Sequence, residues 1–316
     1  MPPAYLEFEK PVAELETRIA ELQQTGGDAV NEEVGKLREK AAKQLKDIYS
    51  HLNAWQKTQV ARHPERPHFL DYVDALFDEF VELAGDRKFM NDDAILGGLA
   101  RFRGRPVVVI GHEKGRDTQT RLKHNFGMGK PEGYRKAVRL LEMAGRFGLP
   151  VIALVDTSGA FPGKGGEERG QAEALARSIE ACLTLTTPMI SVIVGEGGSG
   201  GAVALASGNK VLMMEHSVYS VISPEGAASI LFHDSKRAKD TAEAMKITAQ
   251  DLEKFKIVDA VVPEPMGGAH RDPKTAMTRV GDAIEQQLAE LADFSPDQLR
   301  AQRKERFYAI GREGLA

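Results

Sequence analysis

Cysteine is almost absent from this chain. Its 316 residues include one, Cys182, which rules out an intrachain disulfide and leaves no pair for a zinc ribbon or a CxxC redox motif. Cys182 sits in the row Ile179-Glu180-Ala181-Cys182-Leu183, where a thiol packs as a small apolar group. Long hydrophobic runs are missing too: the longest, Leu149 to Val155, is about a third of the ~20 residues that a transmembrane helix requires. The opening MPPAYLEFEKPVAELE carries acidic residues early and no apolar stretch before a small-residue cleavage site, so no secretory signal and a cytoplasmic location are expected. Nor does either sign of charge dominate. A formal net charge of -4 and a pI of about 6.1 offer no global attraction for nucleic acid or an anionic membrane, so any anionic ligand must be held locally.

What is present is ordinary for a globular protein, with 42% hydrophobic and 28% charged residues in a length that fits one large domain with an appendage or two modest domains. After Pro11, apolar residues recur at Val12, Leu15, Ile19 and Leu22. Beyond Thr25-Gly26-Gly27-Asp28 they resume at Val30, Val34, Leu37, Ala41, Ile48, Leu52 and Trp55. Steps of three and four residues predict two helices, and the Gly-Gly turn predicts that they pack antiparallel as an arm. Charged runs such as Lys36 to Lys40 read as solvated helix face. His63-Pro64-Glu65-Arg66-Pro67 breaks the helix, giving an arm over residues 1–66 and a second unit over 67–316.

From about residue 95 the pattern changes. Ile95 to Phe102 and Pro106 to Gly111 are β-rich runs separated by Arg103-Gly104-Arg105, a hairpin-like pair. A helix is predicted over Pro131 to Phe147, stopped by Gly148 and Pro150, then a strand (Val151 to Val155), a glycine-rich loop and a helix from Glu167 to about Leu183. Another strand (Met189 to Val194) leads into a second glycine-rich loop, a short helix and a strand (Lys210 to Met214). Almost wholly apolar strands alternating with helices point to a buried α/β sheet. Lys274 to Leu291 and Ser295 to Phe307 return to helical periodicity.

Chemistry concentrates in the two loops, Asp156-Thr157-Ser158-Gly159-Ala160-Phe161-Pro162-Gly163-Lys164-Gly165-Gly166 and Gly195-Glu196-Gly197-Gly198-Ser199-Gly200-Gly201-Ala202. Each follows a buried strand, and ligands of open α/β sheets bind in the crevice beyond the strand ends. Glycines let backbone N-H groups turn toward a ligand, and the first turn of the next helix adds unpaired donors and a positive dipole end. Such a loop stabilises an oxyanion without a side chain. Its bland alternative is a tight strand-to-helix turn with no ligand.

Sharper motifs fit less well. Gly197, Ser199 and Gly201 satisfy G-x-S-x-G, a pattern easily met where five of seven residues are glycine, and none of the downstream histidines His216, His233 and His270 has a flanking pattern that marks a base. Neither loop has the P-loop spacing, because Gly165 follows Lys164. The G-x-G-x-x-G match at Gly195, Gly197 and Gly200 comes late in the chain and lacks a convincing acidic partner. Ala244-Met245-Lys246-Ile247 is similar to a biotin-carrier dipeptide but stands in a polar helical stretch, which reads as a solvent-facing lysine. The segment from Lys114 to Lys136 holds seven Lys or Arg against Asp117 and Glu132, a net +5. Its Gly, Asn and Pro content reads as a mobile loop, solvated or, through residues such as Arg121, Lys123 and Lys130, in contact with a phosphate-bearing ligand or an acidic partner.

Over nearly its whole length the chain resembles the α subunits of the carboxyltransferase component of bacterial acetyl-CoA carboxylase. The resemblance lies in Ala61 to Pro64, Phe89 to Gly98, Ile110 to His112, Asn125 to Met128, Pro131 to Lys136, Asp156 to Gly163, Glu167 to Gln171, Gly195 to Ala202, Val221 to Gly226 and Pro263 to His270. Ser158 departs from it, since many members carry proline there. The resemblance implies an α/β crotonase-type ββα superhelix with an N-terminal helical arm and C-terminal helices. It implies carboxyl transfer from carboxybiotin on a biotin carboxyl carrier protein to acetyl-CoA, giving malonyl-CoA for fatty-acid synthesis, in an α2β2 assembly with a separate β subunit and alongside biotin carboxylase. The zinc ribbon then belongs to the β subunit, with no metal in this chain. Gly200 and Gly201 supply the N-H groups for the carboxybiotin carbonyl, with Gly197, Gly198, Ser199, Gly159 and Ala160 lining the cofactor's site, while the partner's glycines hold the acetyl thioester.

Overall fold

The computed structural model describes residues 4–25 and 28–312. The Gly26-Gly27 turn lies outside the described residues, as does the side chain of Val30. Helices α1 (Lys10–Thr25) and α2 (Asp28–Tyr49) pack on each other. Val12 near the start of α1 clusters with Leu45 and Tyr49 at the end of α2 and with Val60, so the pair runs antiparallel. The apolar periodicity that continues to Trp55 does not make one helix. Asn53 restarts it as α3 (Ala54–Ala61), where its side chain accepts the Gln56 N-H and the Gln56 side chain accepts the Asn53 N-H, a reciprocal cap. His63 to Pro67 then separates α3 from α4 (Phe69–Leu76).

The chain next forms β1 (Phe77–Glu82), β2 (Ile95–Phe102) and β3 (Arg105–His112). The β2-β3 hairpin turns on Arg103 (φ 49°) and Gly104 (φ 78°), the pair of positive φ values that suits strand twist in a two-residue loop. After α5 (Thr118–Lys123) and α6 (Pro131–Phe147) come β4 (Val151–Thr157), α7 (Lys164–Glu168), α8 (Gln171–Thr184), β5 (Met189–Gly198), α9 (Ser199–Val203), β6 (Lys210–Met214) and β7 (Val218–Ser220). Helices α10 (Pro224–Phe232), α11 (Ala238–Ala244) and α12 (Ala249–Lys254), strand β8 (Ala260–Val262), and helices α13 (Pro273–Glu290) and α14 (Pro296–Ala309) complete it.

The sheet order is β1-β2-β3-β4-β5-β6-β8, antiparallel as far as β3 and parallel from β3 onward, with β7 paired to the far end of β5. Alternate residues of the central strands feed two cores. Val151, Ala153, Val155, Met189 and Ile193 pack with α6, α8 and α9. Ile152, Leu154, Ile190, Val192 and Val194 pack with α4 and α13. Every residue of β4 and β5 is buried, as expected for strands covered on both faces.

Four expectations change. The helix from Glu167 to Leu183 is two, because Gly170 adopts φ 78° between α7 and α8, a left-handed conformation that ends a helix. Gly195 to Gly198 is strand, not loop, so only Ser199 onward makes the turn. The basic segment is loop only in part, around residues 113–117 and 124–130. It holds α5 and opens α6, and Lys136 is buried with Nζ donating to the Asp92 and Ile95 carbonyls. Lys246 is not on a helix but just past the end of α11, exposed at φ 52°. The edge strand β1 had no signal, its Phe-Asp-Glu-Phe-Val-Glu being mostly exposed.

Candidate functional site

The two glycine-rich segments meet where β4 and β5 end. A Cβ placed on Gly198 would lie 2.2 Å from the Ser158 carbonyl oxygen, and one on Gly201 would lie 2.7 Å from the Ala160 nitrogen and 2.7 Å from the Gly159 carbonyl carbon. Only glycine permits that approach. Gly159 itself stands at φ 146°, its N-H donating to Thr157 Oγ1 at 3.0 Å, while that hydroxyl donates to the Gly159 carbonyl. Gly197, Gly198, Gly159 and Gly201 are buried, Ala160 and Gly200 are partly open, and Ser199 is exposed. The structure thus brings together every glycine-loop residue singled out from the sequence. The buried glycines shape the turn, and Gly200 presents an open face whose nearest neighbour in the Cβ direction is Leu175 Cδ1 at 3.5 Å.

Ser199 has φ 52° on this strand-to-helix turn, a geometry that nucleophilic serines also use. Among the described residues no histidine hydrogen-bonds to it, and a base is what such a serine requires. His216 lies against Tyr49, with ring centroids 5.4 Å apart, and His270 stacks on His63 at 3.8 Å.

Beneath the turn is an ion-pair cluster that no local sequence pattern announced. Asp156 Oδ1 accepts the Glu196 N-H at 2.9 Å and pairs with Lys114 Nζ at 2.6 Å, and Asp156 Oδ2 is 3.6 Å from His68 Nδ1. Arg62 joins Glu196 and Glu225, each at 2.6 Å. Burial by itself raises the Asp156 carboxyl, but Lys114 and His68 outweigh it and hold the group well below the usual carboxylate range. A cavity of about 400 Å³ opens here, lined by Arg62, His68, Lys114, Arg121, Asp156 and Ser158 among others. Deeper still, Arg66 donates through Nε to the Val194 carbonyl at 2.7 Å and pairs with Glu264 through both terminal nitrogens, at 2.6 and 2.8 Å.

Of the three basic residues singled out, Arg121 reaches the cavity. Lys130 lies 5.7 Å from the Phe161 ring, beside the first glycine segment. Lys123 is exposed in the last turn of α5 and is not drawn to the glycine turns. Tyr134 was also missed: its buried hydroxyl sits behind the turn, 3.0 Å from where a Gly201 Cβ would stand. Tyr134, Asp156, Lys114 and Arg62 share no spacing that would mark them as one site, although all but Lys114 fall in the stretches that carry the resemblance. Among the described residues there is no group of three His, Cys, Asp or Glu that could hold a metal, and no helix long and apolar enough to cross a membrane.

Residues 5–311 match the family described as acetyl co-enzyme A carboxylase carboxyltransferase-like. The chain is 64% identical over 315 residues to the acetyl-coenzyme A carboxylase carboxyl transferase subunit alpha of Caulobacter vibrioides strain NA1000 / CB15N, covering 98% of each chain. It is 61% identical over 312 residues to the subunit of the same name from Rhizobium rhizogenes, again with 98% of each covered. Among solved structures it is similar to transcarboxylase 12S, with a TM-score of 0.57 at 19% identity, covering 71% of this chain and 42% of that one. A Pseudomonas malonate decarboxylase hetero-dimer gives a TM-score of 0.56 at 16% identity over 69% of this chain and 89% of that one. At such identities the likeness is one of fold.

Proposed function

This chain belongs to the acetyl-CoA carboxylase carboxyltransferase family as an alpha subunit, and from that premise we propose that its Gly198 to Gly201 turn holds the carbonyl oxygen of carboxybiotin during carboxyl transfer to acetyl-CoA. The protein is a carboxyltransferase of the crotonase fold, and malonyl-CoA is the product that feeds fatty-acid synthesis. A beta subunit completes it. We further assign residues 1–66 to a helical arm and 67–316 to the carboxyltransferase domain. The assembly we propose is α2β2, served by a biotin carboxyl carrier protein and biotin carboxylase in the cytoplasm, with zinc on the beta subunit.

One observation carries the reading: the ends of β4 and β5 converge so tightly that Gly198 and Gly201 leave no room for side chains, while Gly200 keeps an open face. The donors fit the group. At the start of α9 the Gly200 and Gly201 N-H groups have no intrahelical acceptor, and the wall beside them is apolar, made by Leu175 and Ala160. Carboxybiotin supplies the carboxyl group and gathers negative charge on its ureido oxygen as that group departs. Backbone donors already fixed in place stabilise such charge without reorganising, which favours the transition state over the ground state. Ser199 needs no proton acceptor in this scheme, which agrees with its lack of a histidine. Arg121 faces the cavity below the turn, and we assign it, with Lys123 and Lys130, to contact with substrate or partner.

The test is reconstitution. The chain alone, given a biotin derivative and malonyl-CoA, is expected to show no decarboxylation above background, and addition of the beta subunit is expected to restore it. Robust turnover by the lone chain would overturn the divided site.

A further inference from the structure

The pairing of β4 with β5 is interrupted just before the glycine turn. Val155 pairs with Ile193, but the next pair is Thr157 with Gly197, so two steps along β4 stand against four along β5. Val194 to Glu196 thus face Asp156 alone, and these three residues form a bulge that bends β5 and re-aims the chain beyond it toward β7 and α9. A bulge leaves backbone groups without ladder partners, and buried ones must find others. Here side chains provide them: Arg66 Nε donates to the Val194 carbonyl, and Asp156 Oδ1 accepts the Glu196 N-H at 2.9 Å. Gly195 makes room, since a Cβ there would lie 2.4 Å from Asp156 Oδ1.

We propose that Asp156 is a positioning residue for carboxyl transfer: by holding the β5 bulge through the Glu196 N-H, it sets the direction in which the Gly200 and Gly201 donors point. The proposal rests on the reading of that turn as the carboxybiotin cradle. Asp156 stands at the root of both glycine segments, two residues before Ser158 in the chain and bonded to the residue that precedes Gly197. Lys114, at 2.6 Å from the carboxylate, keeps it ionised and in place. The Lys114 ammonium also lies 4.0 Å from Glu196 Oε2, and Arg62 ties Glu196 to Glu225 at the start of α10. The bulge is therefore braced from both sides, and the Asp156 carboxylate is the brace that holds its Glu196 N-H, as Arg66 holds its Val194 carbonyl.

The experiment uses the assembled complex carrying Asp156→Asn or Asp156→Ala. The asparagine keeps an oxygen that can accept the Glu196 N-H, whereas alanine leaves that N-H unsatisfied. A donor misplaced by about 1 Å costs on the order of 100-fold in rate, so kcat per assembled complex is expected to fall about 100-fold in Asp156→Ala and about 10-fold in Asp156→Asn. The KM for acetyl-CoA is expected to stay within about two-fold. Adding Lys114→Met to Asp156→Asn, which removes the uncompensated charge, is expected to recover part of the loss. In parallel, the amide resonances of Gly197 to Gly201 in the lone chain are expected to move in Asp156→Asn, a readout independent of activity. If Asp156→Ala does not assemble, Asp156→Asn decides. Unmoved resonances with kcat unchanged overturn the positioning role directly. Resonances that move while kcat holds overturn it through the cradle reading, because the turn has then shifted without consequence.

Discussion

Gly200→Val isolates the cradle from the packing around it. Gly200 lacks a positive φ, and a Cβ there meets only Leu175 Cδ1 at 3.5 Å, an ordinary contact. Valine has a somewhat better helix propensity than glycine, so folding stability is expected to change by less than about 0.5 kcal/mol. Gly201→Pro, which deletes an N-H outright, is the poorer probe, because its Cβ would stand 2.7 Å from the Ala160 nitrogen and the Gly159 carbonyl carbon and would force the two glycine segments apart. The valine branches occupy the open face of Gly200, so the carbonyl oxygen cannot settle within hydrogen-bonding range of the donors. Losing one oxyanion donor costs on the order of 100- to 1,000-fold in rate, roughly 3 to 4 kcal/mol. The assay is malonyl-CoA formation by the complex assembled with the beta subunit, after circular dichroism and co-purification have shown that the variant folds and assembles. The loss is expected in steps that use the biotin derivative, with the KM for acetyl-CoA unchanged. An assembled Gly200→Val complex within about three-fold of wild-type activity would refute the cradle.

Three further outcomes are expected from the same geometry. Ser199→Ala is expected to keep most of the activity, and Ser199→Gly to raise the melting temperature by relieving φ 52°; covalent labelling of Ser199 by a fluorophosphonate with complete loss in Ser199→Ala would restore the nucleophile. Burial drives the His112 imidazole down to about 4 despite Asp156 nearby, so the unfolded chain takes up a proton there from pH 6.5 downward while the folded chain resists until about pH 4. Stability is thus full above pH 6.5 and declines across that window, and urea unfolding at pH 7 and pH 5 is expected to show a smaller difference in His112→Met than in wild type. Burial opposes ionisation of Glu264, but Arg66 brings it down to about 2; Arg66→Met strands that carboxylate and is expected to cost about 3 to 5 kcal/mol in denaturant unfolding, partly regained when Glu264→Gln is added. Equal stability of Arg66→Met and wild type would remove the pair from the account.

Much of the fold was legible because its signals are local. The β2-β3 hairpin follows from two apolar runs around Arg103-Gly104. Pro131 and the Gly148 turn bound α6 at the expected residues, and the apolar runs of β4, β5 and β6 follow from burial on both faces. The family was legible for a related reason, since long ordered stretches such as Pro131 to Lys136 and Gly195 to Ala202 are preserved as text. Tertiary structure decided the rest. Gly170 broke one expected helix in two, because a left-handed residue is permitted by glycine without being required by it. The basic run from 114 to 136 looked mobile because its charges were counted without their partners, yet Lys136 ends inside the protein against the carbonyls of Asp92 and Ile95. Residue type and periodicity alone placed most of the strands and helices, β1 excepted, and the glycine-rich segments between them. The bulge in β5, the Asp156 carboxylate that meets it from 40 residues away and the closeness of Gly198 and Gly201 to Ser158 and Ala160 exist only once the strands are paired, because no local preference specifies what a side chain meets across a sheet.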